Sequence, residues 1–130
     1  MNNRFVTDTM ALVLRLEKRK LSQRVKDIFL NAEKGNIEIL VPAIVIAEIG
    51  YLSEKGRIET TLTNTRNYIY KNEKIIFEPL SFDVIVKAFE IDDIPELHDR
   101  IISGTAYKFG LTLITNDPVI SSSGFIDVIW

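Results

Sequence analysis

Apolar residues in this chain alternate between short continuous runs and longer segments in which they recur every three or four positions. Short β-prone runs predict five strands, at residues 4–7, 37–41, 74–79, 112–115 and 126–130. Helical spacing fills the segments between them, as in Val25, Ile28, Phe29 and Ala32. This alternation predicts βαβ units, and therefore a parallel sheet sandwiched between helices.

Residues that begin or end helices divide these segments. Ser22 and Ser81 are suited to N-caps, Pro42 to the first turn of a helix, and Gly35 and Gly110 to helix ends. The predicted helices cover residues 9–17, 22–33, 43–52, 58–71, 81–91 and 97–109, with a turn or short helix from residue 118. In the fourth helix we expect Leu62 and Ile69 to face inward.

Composition narrows the class of protein. With 130 residues, 46% of them hydrophobic, we expect a single domain spanning residues 1–130. The absence of cysteine excludes disulfides, thiolate metal sites and cysteine nucleophiles. The longest apolar stretch, residues 44–49, contains Glu48 and is too short to cross a bilayer, so we expect a cytoplasmic protein with no membrane contact. The net charge of -2 means that any attraction for nucleic acid must be local or supplied by metal ions.

Four acidic residues interrupt apolar surroundings: Asp8, Glu48, Asp99 and Asp117. Asp8 and Asp117 each follow a predicted strand, and the carboxyl ends of parallel strands meet at one edge of a sheet, where ligands bind. If those strands are neighbours, the two carboxylates repel each other unless a cation lies between them. Mg²⁺ or Mn²⁺ would accept such oxygens and leave room for a phosphate.

Each acid also has a purely structural interpretation. Asp8 and Asp117 could be N-caps, and Asp99 could stabilise the first turn of its helix or pair with Arg100. Glu48 is harder to explain in this way, because its helical neighbours are Ile44, Val45, Tyr51 and Leu52. A carboxylate buried there needs an arginine, a hydrogen-bond donor or a metal. The single histidine, His98, is expected at the surface or in a local hydrogen bond.

The order and flanks of the four acids resemble the PIN-domain family, in particular the VapC-type ribonuclease toxins. The similarity lies in FVTDTMALVLRL, IEILVPAIVIAEIGYL, LHDRIISGTAYKFG and LTLITND, and extends to the closing IDVIW. It implies a three-layer α/β/α sandwich with a mainly parallel five-stranded sheet, and a Mg²⁺- or Mn²⁺-dependent endoribonuclease. By position, Asp8, Glu48, Asp99 and Asp117 become the catalytic, metal-binding acids, with Thr115 and Asn116 placed to orient water or a phosphate.

The resemblance also implies partners. We expect RNA as substrate, a homodimer, and a cognate antitoxin protein whose tail fills the acidic groove, with residues 22–33 and 43–51 as contact surfaces. Two other functions remain open from the sequence. One is a metal-dependent phosphatase on a related α/β fold, which would turn over phosphomonoesters but not RNA. The other is a non-catalytic RNA-binding or assembly module, whose affinity for RNA would be unchanged by EDTA.

Overall fold

A computed structural model describes residues 3–130 of the chain and contains one five-stranded sheet. The strands are all parallel and lie in the order β3-β2-β1-β4-β5. Their bounds are β1 Arg4–Thr7, β2 Glu38–Pro42, β3 Ile75–Glu78, β4 Thr112–Ile114 and β5 Val128–Ile129. The parallel five-stranded sheet expected from the sequence is confirmed.

Seven helices connect the strands within residues 3–130: α1 Thr9–Leu16, α2 Gln23–Glu33, α3 Ala43–Glu54, α4 Leu62–Lys71, α5 Phe82–Glu90, α6 Leu97–Phe109 and α7 Pro118–Ser121. The chain moves from β1 outward to β3, then crosses back to β4 on the other side of β1. Right-handed crossovers therefore place α1 to α4 on one face of the sheet and α5 to α7 on the other. The direction of winding reverses between β1 and β4, which is where open parallel sheets form a ligand crevice.

Two local predictions were wrong. The fourth helix begins at Leu62 rather than residue 58, because Thr61 and Asn64 form a capping box that fixes its start. Leu62 is consequently in the first turn and 51% exposed rather than inward, while Thr65 is the buried residue of that helix. Pro42 is the last residue of β2 and the N-cap residue of the next helix, one position before the first turn in which the sequence placed it.

The core is formed by the faces of the sheet and the helices that cover them. Val6, Leu12, Ile39, Leu113 and Ile114 are almost completely buried in it. No helix within residues 3–130 is both long enough and apolar enough to cross a membrane.

Helices α5 and α6 pack unusually closely at Gly104. A Cβ atom added there would lie 2.6 Å from the Cβ of Ala88, so only glycine fits without a shift of one helix. Helix α6 ends at Gly110, whose φ of 65° is the left-handed conformation that the sequence predicted for this stop. These two glycines set the path of the helix that carries Asp99.

Candidate active site

The four acids predicted from the sequence line one cavity. It has a volume of about 420 Å³ and lies at the carboxyl ends of β1 and β4. Its walls consist of the four acids and six other residues: Asp8, Glu48, Asp99, Asp117, Thr9, Met10, Leu52, Ile102, Asn116 and Pro118. Side chains that lie as far apart in sequence as residues 8 and 117 therefore converge.

Asp8 and Asp117 are brought together because β1 and β4 are neighbours. Thr7 is paired with Ile114, and the Asp8 N–H donates to the Ile114 carbonyl at 3.1 Å. Both acids cap helices: Asp8 accepts from the Ala11 N–H at 2.8 Å, and Asp117 accepts from two N–H groups at the start of α7. Both residues are therefore N-caps, as the structural interpretation held. The capping hydrogen bonds fix their carboxylates at the edge of the cavity.

Glu48 reaches the cavity from α3 and is held by a residue that the sequence analysis did not single out. The Thr9 hydroxyl donates to Glu48 Oε1 at 2.5 Å, and Thr9 is only 7% exposed. This is the hydrogen-bond donor that a carboxylate on an apolar face requires. In the sequence, the only sign of this role is that Thr9, a hydroxyl residue, directly follows the acid after β1.

Asp99 lies in the first turn of α6 without being its cap. Glu96 caps the helix and accepts from the N–H groups of His98 and Asp99. The Arg100 guanidinium donates to the Ile94 carbonyl at 2.7 Å. The suggested ion pair between Asp99 and Arg100 is not among those that the described residues form. His98 pairs with Glu96 at 2.9 Å and is half exposed, which confirms its local role.

The electrostatics of the cavity disfavour four negative charges. Burial raises the pKa of Asp8 to about 6, and the charges of Asp117 and Glu48 add to the effect, while hydrogen bonds from Thr115 and Ala11 oppose it. Burial also raises the pKa of Asp99 to about 6, followed by repulsion from Asp117, Glu96, Glu48 and Asp8. The acids are thus close enough to perturb one another, and a cation between them would relieve the repulsion.

No lysine or arginine within residues 3–130 forms an ion pair with any of the four acids. Several of their oxygens also accept no hydrogen bond from the described residues: both of Asp99, Oε2 of Glu48 and Oδ2 of Asp117. Negative charge and available acceptors therefore coincide in one cavity.

The donor set is suited to Mg²⁺ or Mn²⁺. It consists of oxygen atoms alone, with no cysteine in the chain and with the one histidine outside the cavity. No three acidic or histidine side chains of residues 3–130 are close enough to enclose a metal ion as they stand. This spacing is compatible with Mg²⁺, which keeps several of its waters and needs only one or two direct carboxylates.

Thr115 and Asn116 differ in position. Thr115 is completely buried, accepts from the Asp117 N–H at 3.1 Å and hydrogen bonds to Asp8, so it joins the two strand-ending acids. Asn116 is exposed and lines the cavity. Their role in orienting water or a phosphate stays a prediction. Asn116, whose side chain is exposed in the cavity, is better placed for it than the buried Thr115.

Solved structures of similar shape include complexes of toxins with their antitoxins. VapBC2 from Rickettsia felis bound to a DNA fragment from its promoter has a TM-score of 0.73 and 18% identity, with 98% of both chains covered. DNA-bound VapBC from Salmonella typhimurium has a TM-score of 0.70 and 18% identity, covering 99% of this chain and 98% of that one. VapC20 from Mycobacterium tuberculosis, a sarcin-ricin loop cleaving toxin, has a TM-score of 0.67 and 14% identity, covering 95% and 98%. At these identities the likeness establishes a common fold.

The sequence itself gives a family match that agrees with the fold. A comparison with curated proteins returns no match. The sequence profile that does match is that of the PIN domain, and it extends over residues 5–125, from β1 to the segment before β5. With its parallel sheet and its acidic cavity at the ends of β1 and β4, the chain belongs to the PIN domain family.

Proposed function

We propose that the protein is a Mg²⁺- or Mn²⁺-dependent endoribonuclease and the toxin of a toxin–antitoxin pair. The observation that carries this proposal is the convergence of Asp8, Glu48, Asp99 and Asp117 on one cavity without a compensating cation in the described part of the chain. A phosphodiester cannot approach four carboxylates by itself, so the arrangement is productive only with a cation bound. Membership of the PIN domain family supports this choice.

In this proposal the four acids hold the ion, directly or through water. Asp99 contributes most freely, because neither of its carboxylate oxygens accepts a hydrogen bond from the described residues, and Glu48 contributes the oxygen that Thr9 leaves available. Thr115 keeps Asp8 and Asp117 in place, and Asn116 orients the phosphate or the attacking water. The chemistry supplied by a bound Mg²⁺ or Mn²⁺ is neutralisation of the phosphate and activation of water, which would leave 5′-phosphate and 3′-hydroxyl ends.

An antitoxin partner is supported by the nature of the similar structures, since those from Rickettsia felis and Salmonella typhimurium are toxin–antitoxin complexes bound to DNA. We infer that a small cognate antitoxin blocks the acidic cavity, with α2 and α3 as its contact surfaces. The homodimer stays a prediction.

The decisive experiment is cleavage of a mixed RNA pool by the purified protein with Mg²⁺, with Mn²⁺ or with EDTA, followed by sequencing of the ends. We expect cuts only with metal, and a loss of rate of about 100-fold or more for Asp99→Asn. The matched control is Asp92→Asn, because Asp92 is an exposed acid on the loop before α6 that does not line the cavity.

The two other functions give different results in the same experiment. Turnover of a phosphomonoester without cleavage of RNA would indicate a phosphatase. RNA binding that EDTA leaves unchanged, with no cleavage in any metal, would indicate a non-catalytic module. Full metal-dependent activity in Asp99→Asn would contradict the assignment of the four acids as metal-binding catalytic residues.

A further inference from the structure

A second and larger cavity lies at the opposite end of α1. It has a volume of about 830 Å³ and is formed by the end of α1, the loop to α2, parts of α2 and the end of α4. Six of its lining residues are cationic: Arg15, Lys18, Arg19, Lys20, Lys26 and Lys71. In a chain with a net charge of -2, this is a pronounced local concentration of positive charge.

The one carboxylate in this basic cavity, Glu33, is already neutralised. Arg15 donates to both of its oxygens, at 2.9 and 2.6 Å, and the Tyr68 hydroxyl donates to Oε2 at 2.5 Å. Burial opposes the charged form of Glu33, but the hydrogen bonds from Arg15 and Tyr68 outweigh it and lower its pKa. The nearby charge of Lys71 also lowers the pKa of Glu33, although among the cations of the basic cavity only Arg15 forms an ion pair with it.

Four lysines of the basic cavity form no ion pair with any residue within 3–130: Lys18, Lys20, Lys26 and Lys71. The two arginines are paired instead, Arg15 with Glu33 and Arg19 with Glu17 at 3.4 Å. The free charges are thus compact ammonium groups on flexible stems, which bind phosphate as point charges, whereas the planar guanidinium groups suited to bidentate carboxylate contacts are in use.

Lys18 also has an unusual backbone. Its φ of 53° is the left-handed region, and it is the only non-glycine residue there among residues 3–130. The turn is closed by N–H groups of Lys18 and Arg19 that donate to carbonyls in the last turn of α1. Glycine would fit this conformation with less strain, so the chain retains a cationic side chain at a position where the backbone disfavours it.

We propose that the basic cavity binds phosphates of the RNA strand whose scissile bond lies in the acidic cavity, which rests on the function proposed above. Helix α1 begins at the acids and ends at the basic cavity, and its eight residues span about 12 Å. A stacked strand covers that distance with about four nucleotides. The basic cavity supplies the sequence-independent attraction that an acidic active site lacks, and it orients the strand along α1.

The test measures RNA binding separately from cleavage. A fluorescent 12-nucleotide single-stranded RNA is titrated with protein in EDTA at several salt concentrations, using wild type and the triple variant Lys18→Gln, Lys20→Gln, Lys26→Gln. Because each lost phosphate contact lowers the salt slope of a single strand by about 0.7, we expect the slope to fall by about 2 and the affinity to fall by about 10-fold or more. A circular dichroism melt of each variant verifies that it is folded.

A charge-matched control separates the cavity from net charge. Lys55→Gln, Lys74→Gln and Lys87→Gln remove three lysines that line no part of the basic cavity. We expect this control to retain most of the affinity and slope. Equal losses in the two triple variants would overturn the proposal, as would a basic-cavity variant that loses binding of a poly-glutamate peptide but not of RNA.

Failure of this proposal is distinguishable from failure of the nuclease assignment. If wild type cleaves RNA with metal and the basic-cavity variant has an unchanged KM, the nuclease assignment stands and the basic cavity is not part of the RNA site. If no RNA is cleaved but the basic-cavity variant still loses RNA binding in EDTA, the RNA-binding role of the basic cavity stands and the nuclease assignment fails.

Discussion

The two cavities at the ends of α1 hold their charges in opposite ways. The acidic cavity places four carboxylates together with few hydrogen-bond donors and no ion pair from the described residues. The basic cavity neutralises its single carboxylate with Arg15 and Tyr68 and leaves its lysines free. Each cavity lacks the counter-charge that its ligand would bring: a divalent cation for one and a phosphate chain for the other. Three substitutions test this contrast, beginning with the one expected to change stability most.

Replacement of Asp8 by asparagine should stabilise the folded protein at pH 8 while abolishing metal-dependent cleavage. The folded pKa of about 6 lies above the ordinary value of 3.8, so the unfolded chain loses its proton first and stability falls as the pH rises from 3.8 to 6. Removing the charge should recover about 2 to 3 kcal/mol at pH 8 and almost nothing at about pH 3.5, since asparagine also caps helices.

Urea unfolding at the two pH values, with EDTA present, measures this difference. Asp92→Asn should show no gain at either pH. If Asp8→Asn were less stable than wild type at pH 8, burial and the neighbouring acids would destabilise the Asp8 carboxylate less than its raised pKa indicates. Addition of Mg²⁺ should reduce the gain, because the ion stabilises the charged wild-type site and not the variant.

Replacement of Thr9 by valine should remove the donor that holds Glu48. Losing a hydrogen bond to a partly buried carboxylate costs about 1 to 2 kcal/mol, and the cleavage rate should fall with it because Glu48 is no longer fixed. Thr9→Ser keeps the hydroxyl and should retain most of both properties. Thermal melts and initial cleavage rates in Mg²⁺ compare the two variants, and equal rates for valine and serine would show that the Thr9 hydroxyl is dispensable.

Replacement of Lys18 by glycine should separate stability from RNA binding in the basic cavity. Glycine adopts a φ of 53° freely, so the variant should be more stable by about 1 kcal/mol. It should nevertheless bind the 12-nucleotide RNA less tightly, with a salt slope smaller by about 0.7. A variant that gains stability and keeps its full salt slope would show that Lys18 does not contact phosphate.

Much of this structure could be predicted from the sequence, because adjacent residues favour the same helices, strands and turns that the fold contains. The strand runs, the Ser22 cap, the Gly110 stop and the acids after β1 and β4 each depend on a few adjacent residues. The start of α4 could not be placed as well, because the capping box between Thr61 and Asn64 competes with a periodicity that continues through residues 58–61.

The features that sequence reasoning missed depend on tertiary contacts. Thr9 holds Glu48 across 39 positions of sequence, and nothing local distinguishes it from any other threonine at a helix start. The basic cavity gathers charges from the end of α1, from α2 and from Lys71 at the end of α4. Along the chain these residues resemble ordinary solvated charges, and only packing of α1 against its neighbours shows that they share a cavity.

Helix α1 gives this arrangement an electrical polarity. The aligned peptide dipoles place partial positive charge at its first turn, beside Asp8, and partial negative charge at its last turn, beside Arg15. Each cavity therefore faces the pole that stabilises its own charge, by about 0.3 to 1 kcal/mol for each group in contact with a helix end. A proline within α1 would break the alignment and weaken both cavities together, although neither would lose a single charged side chain.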